Sequence, residues 1–439
     1  MTIADAVADQ LAFAEELIRI PSVSLPGFDH AYVQASAELV RDALLGLGLD
    51  DVAIVSADGG QPAVIGARTV DPAAPTVLLY AHHDVMPADG ELWTSSPFAP
   101  QMRDGRLYGR GAADDKGGLA VHLAALQHLG DALPVNVRVL VEGEEEAGSP
   151  TIGALLDAYE DRLAADLAIV TDGFNNAPLQ PTLGISYRGM LDVELTVETG
   201  TVGAHSGTWG GAVPDALLVL ARVLASLHDE RGDVAVAGLA AAPDPEQELD
   251  PAMVEEAVGL LDGVQRIGSA PTFAAQLWAR PAITTIGIDA PSVAASSNRL
   301  TGRARARLNV RLAPGDEPAR AWEALRAHVA VAVPFGARWE LTLRGSGEPF
   351  ANTGRQDVLA RAQERLGEAF GTPCAAMGCG ASIPLLGELQ RRMSWSTVLV
   401  TAVADPASHP HGEDESVDVE AVRCAAAAEA AVLADLPGR

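Results

Sequence analysis

A histidine and an aspartate follow a short apolar run early in the chain. Val77–Tyr80 is rich in residues that favour strands, and His82 and Asp84 come just after it. In open α/β sheets ligands bind beyond the carboxyl ends of the strands, so these two side chains are well placed for chemistry. Alternation along an extended chain puts both on one face. For these residues alone, a turn in which Asp84 caps the next element is the alternative interpretation.

Four further groups of acids and histidines stand at the ends of predicted elements. Each group alone could be a capped turn or a solvated acidic loop. Acids are rarely concentrated beyond strands without a cation that neutralises them, so the groups together indicate a cation site. The first group lies in a glycine-punctuated loop that could bind phosphate, but its paired carboxylates would repel that anion. The groups are Tyr108–Gly118 with Asp114, Val141–Ser149 with Glu144, Glu145 and Glu146, Ile169–Gly173 with Asp172, and Ser408–Glu415 with His409 and His411.

These residue types favour a particular kind of metal chemistry. Histidine and carboxylate ligands without cysteine suit zinc in an open catalytic site, and the number of acids suggests two ions. Two metal ions hold and deprotonate a water between them and polarise a carbonyl. One further carboxylate must move the proton from that water to the leaving nitrogen. The combination predicts amide hydrolysis.

The composition limits the partners and the compartment. The 439 residues suit two domains, and 30 Lys and Arg against 59 Asp and Glu give a formal net charge of −29. That charge argues against a nucleic acid or an anionic membrane as partner. The three cysteines form no disulfide framework, the first residues lack a targeting pattern, and no apolar run is long enough to span a bilayer. We therefore expect a cytoplasmic protein.

The order of predicted elements indicates an α/β protein with an insertion. Strand-like and helical segments alternate up to residue 188, which is typical of a mainly parallel mixed sheet with helices on both faces. Strands and helices then follow in the order of a ferredoxin-like α+β domain. We expect residues 1–188 and 346–439 to form the catalytic domain and residues 189–345 the insert. Within the insert, residues 232–297 can be assigned only partly.

The motifs in combination resemble those of one metallopeptidase family, and the resemblance covers nearly the whole chain. The family includes carnosinase, bacterial dipeptidases, aminoacylase, glutamate carboxypeptidase and succinyl-diaminopimelate desuccinylase. It implies a cis peptide after the bridging aspartate, at Asp114-Asp115, and a general acid/base at Glu145. It also implies that Asp84 orients a metal-binding histidine. The implied metal ligands are His82, Asp114 and Asp172 for one ion and Asp114, Glu146 and His411 for the other.

The insert carries motifs that resemble the lid of the same family. The resemblance implies that His205 reaches the active site of a partner subunit and stabilises the oxyanion, which predicts a homodimer joined through the inserts. Asn298 and Arg311 match residues that grip the carboxylate side of the substrate, and Ser382 lies in the glycine-rich substrate loop. Gly378 and Cys379, by contrast, stand where dipeptidases of the carnosinase kind carry Arg and Glu.

The leading interpretation is a dinuclear dipeptidase or related carboxypeptidase with two divalent ions, most simply zinc, with manganese or cobalt as alternatives. An N-acyl-amino-acid amidohydrolase needs the same metals, the same Glu145 and the same Arg311. The acids at Asp172 and 413–415 favour a dipeptide, because an acid can bind its free amine. A binding protein that has lost catalysis is the third hypothesis, and the retained Glu145 argues against it. We also expect His83 and His409 to be structural and Lys116 and Arg110 to pair with acids.

Overall fold

The computed structural model describes residues 1–436, apart from the side chains of residues 253, 256 and 257. The helices are α1 (Ile3–Ile18), α2 (Ala31–Gly46), α3 (Lys116–Leu129), α4 (Ile152–Ala158), α5 (Glu160–Leu163), α6 (Ser206–Trp209), α7 (Ala216–Ser226), α8 (Pro251–Ala257), α9 (Phe273–Trp278), α10 (Pro318–Ala332), α11 (Gln356–Phe370), α12 (Pro384–Arg392) and α13 (Val419–Asp435). The strands are β1 (Asp50–Val55), β2 (Ala63–Arg68), β3 (Thr76–His82), β4 (Gln101–Arg103), β5 (Arg106–Tyr108), β6 (Asn136–Glu142), β7 (Leu167–Val170), β8 (Thr182–Tyr187), β9 (Gly189–Glu198), β10 (Ala204–His205), β11 (Ala282–Asp289), β12 (Arg299–Leu300), β13 (Arg303–Leu312), β14 (Arg338–Gly347), β15 (Phe350–Ala351), β16 (Ala375–Cys379), β17 (Thr397–Val400) and β18 (Ser416–Asp418).

The chain divides into two compact units. The first contains Met1–Ile185, Asn352–Met377 and Ile383–Arg439, and the second contains Ser186–Ala351 and Gly378–Ser382. The sequence-based boundaries put residues 378–382 with the catalytic domain, whereas the structure groups them with the second unit.

The first unit is built on a mixed sheet whose central strands run parallel. β6, β3, β7 and β17 are neighbours in that order and pair in parallel. β2 and β1 extend the sheet antiparallel beyond β6, and β8 pairs antiparallel with β17. Every residue of β3 is buried, as expected of a parallel strand covered on both faces. The predicted α/β class with a mainly parallel mixed sheet is confirmed.

The second unit has the order of elements of a ferredoxin-like fold. β9, α7, β11, β13, α10 and β14 follow one another, and the antiparallel sheet has the strand order β11-β13-β9-β14. Alternate residues of β9 and β13 point into a core shared with both helices. That core includes Leu191, Val193, Leu195, Leu308, Val310, Leu220, Val223, Leu325 and Val329.

β11 lies in the part of the insert that the sequence pattern left largely unassigned. Of its eight residues only Ile283 is buried, and a register shift interrupts its pairing with β13 near Gly287. An edge strand with so little burial has no clear apolar alternation, which explains why the pattern did not predict it.

Among residues 1–436 no helix combines the length and the apolar character that a transmembrane span needs.

Candidate metal centre and active site

The central strands of the first unit release polar residues at one edge of the sheet. His82 is the last residue of β3, Asp172 is the second residue after β7, and β6 leads into a short 3₁₀ turn, Glu145–Ala147. His411 lies in the segment between β17 and β18. Because β3, β6, β7 and β17 are parallel, their carboxyl ends meet at the same edge, where α/β proteins bind ligands.

Asp114 occupies the middle of the resulting cluster. Its Oδ1 lies 2.9 Å from His82 Nε2, and its Oδ2 lies 3.1 Å from His411 Nε2. His411 Nε2 is also 3.0 Å from a carboxylate oxygen of Glu146. Two groups of possible ligand atoms result, His82, Asp114 and Asp172 in one and Asp114, Glu146 and His411 in the other, each within 4.8 Å. The structure thus brings together the five residues that the sequence suggested as ligands.

The charge of the cluster fits two divalent cations. Burial, with the carboxylates of Glu145 and Asp114, raises the pKa of Asp172 well above its ordinary value. Burial and Asp114 likewise raise the pKa of Glu146 to about 7. These shifts reflect buried carboxylates that repel one another. Imidazole nitrogens and carboxylate oxygens are the ligands of open catalytic zinc sites, and added cations would offset the repulsion.

Asp84 supports this cluster in more ways than the sequence suggested. Its Oδ1 lies 3.4 Å from His82 Nδ1, while its backbone carbonyl is closer, at 3.1 Å. The carboxylate also accepts hydrogen bonds from the Ser24 hydroxyl at 2.6 Å and from the backbone N–H groups of Glu145 and Glu146 at 3.2 and 3.1 Å. Asp84 therefore orients a histidine and anchors the turn that carries two acids.

Glu145 lies beside the two ligand groups and belongs to neither. Burial, followed by the carboxylates of Glu146 and Asp114, raises the pKa of the Glu145 side chain well above its ordinary value. An acid in this position can exchange a proton with a group held at the cluster.

The loop before α3 needs a special backbone to present Asp114. Gly111 has φ +84°, and a Cβ built there would lie 2.5 Å from a side-chain carbon of Val85. The peptide between Asp114 and Asp115 is cis, as the family resemblance implies. The loop is therefore shaped by tight packing as well as by its charges.

The second unit holds a pair of arginines next to the glycine-rich loop. Arg311 donates to the Ser382 hydroxyl at 2.9 Å, and that hydroxyl donates to the Arg188 carbonyl at 2.5 Å. The Arg188 side chain donates to the Gly380 carbonyl at 2.9 Å. Burial and the neighbouring Arg311 lower the pKa of Arg188 to about 10. Sequence analysis missed Arg188, although its place directly after a strand, where the pattern changes, was a usable signal.

Arg311 differs from the other arginines along its strand. Arg303, Arg305 and Arg307, at alternate positions of β13, pair with Glu198, Glu194 and Asp192. Among the residues that the structure describes, no carboxylate pairs with Arg311. Its positive charge is available for an anion from outside the chain.

The remaining two predicted residues lie on neighbouring segments of the second unit. His205 is exposed at the end of β10, which pairs with β12. Asn298 is also exposed, and its carbonyl accepts the N–H of Ser206 at 2.9 Å. The pairing of β10 with β12 thus places His205 and Asn298 on adjacent segments, and Arg311 contacts Ser382, so the four residues form two separate pairs.

The expectation that Asp414 or Glu415 binds a substrate amine is wrong, and so is the expectation that Lys116 pairs with an acid. Glu415 is fully buried and already accepts hydrogen bonds from Arg110 and three backbone N–H groups, so it cannot bind a substrate amine. Asp414 accepts from both the backbone and the hydroxyl of Thr94. Lys116 does not pair with an acid either, since its Nζ lies 2.9 Å from the Leu17 carbonyl.

The expectations for Arg110 and His83 are confirmed. Arg110 pairs with an acid, Glu415, at 2.7 Å. His83 is buried, and its Nε2 contacts the Pro62 carbonyl at 2.9 Å. Burial lowers the pKa of His83 to about 4, so it stays neutral.

Comparison with known proteins assigns the fold to a family. Residues 78–435 match the family described as peptidase family M20/M25/M40. The chain is 35% identical over 407 residues to the cysteinylglycine-S-conjugate dipeptidase of Corynebacterium striatum, a match that covers 91% of this chain and 89% of that protein. It is 29% identical over 372 residues to the succinyl-diaminopimelate desuccinylase of Rhodospirillum centenum, covering 81% of each.

A solved structure agrees with these sequence matches. The M20 family metallo-carboxypeptidase Sso-CP2 from Sulfolobus solfataricus superimposes with a TM-score of 0.86 and 25% identity, over 97% of this chain and 98% of that one. The similarity therefore spans both compact units.

Proposed function

Because the chain belongs to peptidase family M20/M25/M40, we propose that it is a dinuclear metallodipeptidase that cleaves small peptides with a free C-terminal carboxylate. The family match confirms two predictions from the sequence, that the chain belongs to this metallopeptidase family and that it is an enzyme. The observation that carries the proposal is the pair of ligand groups that share Asp114, with Glu145 beside them.

The residues of the cluster have different roles in amide hydrolysis. His82, Asp114 and Asp172 would hold one divalent ion, and Asp114, Glu146 and His411 would hold the other, with zinc as the first choice of metal. When bound, such ions lower the pKa of a water and polarise the scissile carbonyl. The carboxylate of Glu145 takes the proton of the attacking water and delivers it to the leaving nitrogen. Asp84 keeps His82 and the Glu145 turn in place.

The arginine in the second unit provides a reason for the free carboxylate. Arg311 is a guanidinium without an acidic partner among the described residues, and Ser382 orients it. A guanidinium fork matches a carboxylate in shape and charge. We propose that Arg311, with Ser382 and Asn298, binds the carboxylate of the residue on the leaving side.

An N-acyl-amino-acid amidohydrolase remains the second candidate, because the desuccinylase relative shares the same family. The acids at 414 and 415 no longer support binding of a free amine. The preference for dipeptides therefore rests on the greater similarity to the cysteinylglycine-S-conjugate dipeptidase. A binding protein without catalysis is disfavoured by the family match and by Glu145.

Comparing two matched substrates tests the proposed function. We expect Ala-Ala to be hydrolysed with a higher specificity constant than N-acetyl-alanine, each measured with added zinc, manganese or cobalt. Both compounds end in the same alanine carboxylate, so only the acyl side differs. A higher specificity constant for the N-acetyl compound would replace the dipeptidase by the amidohydrolase.

The proposed carboxylate site predicts how the effect of replacing Arg311 depends on the substrate. Truncating one member of a buried charge pair costs about 2–5 kcal/mol, so Arg311→Ala should lower kcat/KM for Ala-Ala by roughly 30- to 4,000-fold. Amidated Ala-Ala should already be a poor substrate of the native enzyme, and Arg311→Ala should lower its kcat/KM little further. Arg307→Ala on the same strand is the control and should leave kcat/KM near normal. Equal losses for both substrates in Arg311→Ala would contradict carboxylate binding.

We also propose a homodimer joined through the inserts, in which His205 reaches the partner's active site and stabilises the oxyanion. The exposure of His205 supports this proposal, since its imidazole is free to meet another chain. Mixing two inactive variants, His205→Ala and Glu145→Gln, should restore part of the activity once subunits exchange. No recovery after confirmed exchange would mean that His205 does not act on a partner's site.

A further inference from the structure

Glu415 is a buried carboxylate that the proposed chemistry does not use. It accepts four hydrogen bonds, from the backbone N–H groups of Gly111, Ala113 and Asp114 at 2.9, 3.0 and 3.1 Å and from the Arg110 guanidinium at 2.7 Å. Three of the four donors are backbone amides within four residues of the loop that carries Asp114. The carboxylate therefore fixes the backbone of the residue shared by both ligand groups.

Arg110 extends this connection to the other side of the cluster. Its Nη2 donates to the carbonyls of His411 and Gly412, both at 3.1 Å. In addition, the N–H of Gly109 donates to the Glu415 carbonyl at 2.9 Å. The Arg110–Glu415 pair is thus hydrogen-bonded to the backbone of both Asp114 and His411, which are about 300 residues apart in sequence.

We propose that Glu415 and Arg110 are positioning residues that set the separation of Asp114 and His411 and thereby control the affinity for a divalent ion at the Asp114–Glu146–His411 group. The inference rests on the proposed function. Residues that hydrogen-bond to metal ligands contribute to the affinity for the metal, because a ligand already held in place loses less entropy on binding. The ion at the His82 group should be affected less, because only one of its three ligands, Asp114, is hydrogen-bonded to this pair, whereas the other group has two such ligands, Asp114 and His411.

The test variant is Glu415→Gln, which keeps the shape of the side chain. Its amide N–H₂ must face either the Arg110 and Gly111 donors or the Ala113 and Asp114 donors, so some donors lose their acceptor. The Asp114 loop should then lose its fixed geometry, although the ligands themselves are intact.

A neighbouring ion pair provides a matched control. Asp405 is also buried, and the half-buried Arg106 approaches it to 3.2 Å. The Arg106 guanidinium also donates to Ser408 and Ser416 in the same C-terminal segment. The hydrogen bonds of this pair do not reach the Asp114 loop. Asp405→Asn should therefore cost stability without changing metal affinity.

The experiment is a titration of metal-free protein with Co²⁺. Binding is measured by calorimetry and by the visible spectrum of the bound ion. We expect Glu415→Gln to bind one of two Co²⁺ ions about 10- to 100-fold more weakly than the native protein, with an altered spectrum. Turnover should recover as Co²⁺ is raised to saturation. Asp405→Asn should keep the native affinities even if its melting temperature falls.

Several outcomes would overturn the inference. Native Co²⁺ affinities in Glu415→Gln, or an equal loss of affinity in Asp405→Asn, would show that the pair has no special part in positioning. If Glu415→Gln does not fold, Arg110→Lys carries the same test, because Lys keeps the charge but loses the bond to His411 or to Glu415. If the native protein itself binds no ions, the proposed function fails instead.

Discussion

Replacing Glu145 by glutamine should reduce the rate of dipeptide hydrolysis by roughly 10²–10⁴-fold while leaving the fold and the metal content unchanged. Glutamine copies the shape of the side chain but cannot take up and release the proton. The backbone N–H of residue 145 still donates to Asp84, so the turn is retained. The measurement is kcat for Ala-Ala at saturating metal, together with the metal content of the purified variant.

The neighbouring Glu144 is the control for this variant. It is buried, and its carboxylate accepts from the N–H groups of Thr151 and Gln61, both at 2.9 Å, so it serves the loop rather than the cluster. Glu144→Gln should lose stability but keep kcat near the native value. Near-native turnover in Glu145→Gln, or the same loss in both variants, would mean that another group moves the proton.

Replacing Asp114 by asparagine should have the largest effect on metal binding, because this residue alone belongs to both ligand groups. We expect the metal content to fall from two ions to fewer than one, and the rate to fall by about 10³-fold or more. That factor corresponds to several kcal/mol of charge stabilisation by the ions. Elemental analysis of protein prepared without chelator, with activity measured on the same samples, provides the result.

Two single-group variants make this prediction specific. Asp172 belongs only to the group with His82, and Glu146 only to the group with His411. Asp172→Asn and Glu146→Gln should therefore each lose about one ion, whereas Asp114→Asn should lose more than one. Two ions retained in Asp114→Asn would rule out a shared carboxylate.

Much of the metal centre could be predicted from sequence because its residues stand at strand ends. Apolar runs such as Val77–Tyr80 predict strands, and alternation with helices predicts parallel pairing, which gathers His82, Glu146 and Asp172 at one edge. The motifs then suggested the same five ligands that the structure brings together.

The parts that sequence missed depend on contacts between distant segments. In the sequence, Glu415 was one of three acids expected to bind a substrate amine, and only its position against an amide-rich loop shows that its hydrogen-bonding capacity is already used. The place of Arg188 after a strand was a signal in the sequence, but its contacts could not be predicted because its partners, Gly380 and Ser382, are about 190 residues away.

The packing of the glycine-rich loop could not be predicted from the sequence either. A Cβ at Gly378 would lie 2.8 Å from the ring of Trp278, which belongs to α9 in the incompletely assigned part of the insert. That segment therefore supports the loop that holds Ser382, a relation that no local pattern reveals.

Hydrolysis of Ala-Ala by metal-free protein, followed while zinc is added in known amounts, tests most directly that this chain is a two-ion dipeptidase. The metal-free protein should be inactive, and the activity should rise to a plateau at two equivalents of zinc per chain. Activity that is already full without metal, or that reaches its plateau without a second equivalent, would contradict the account.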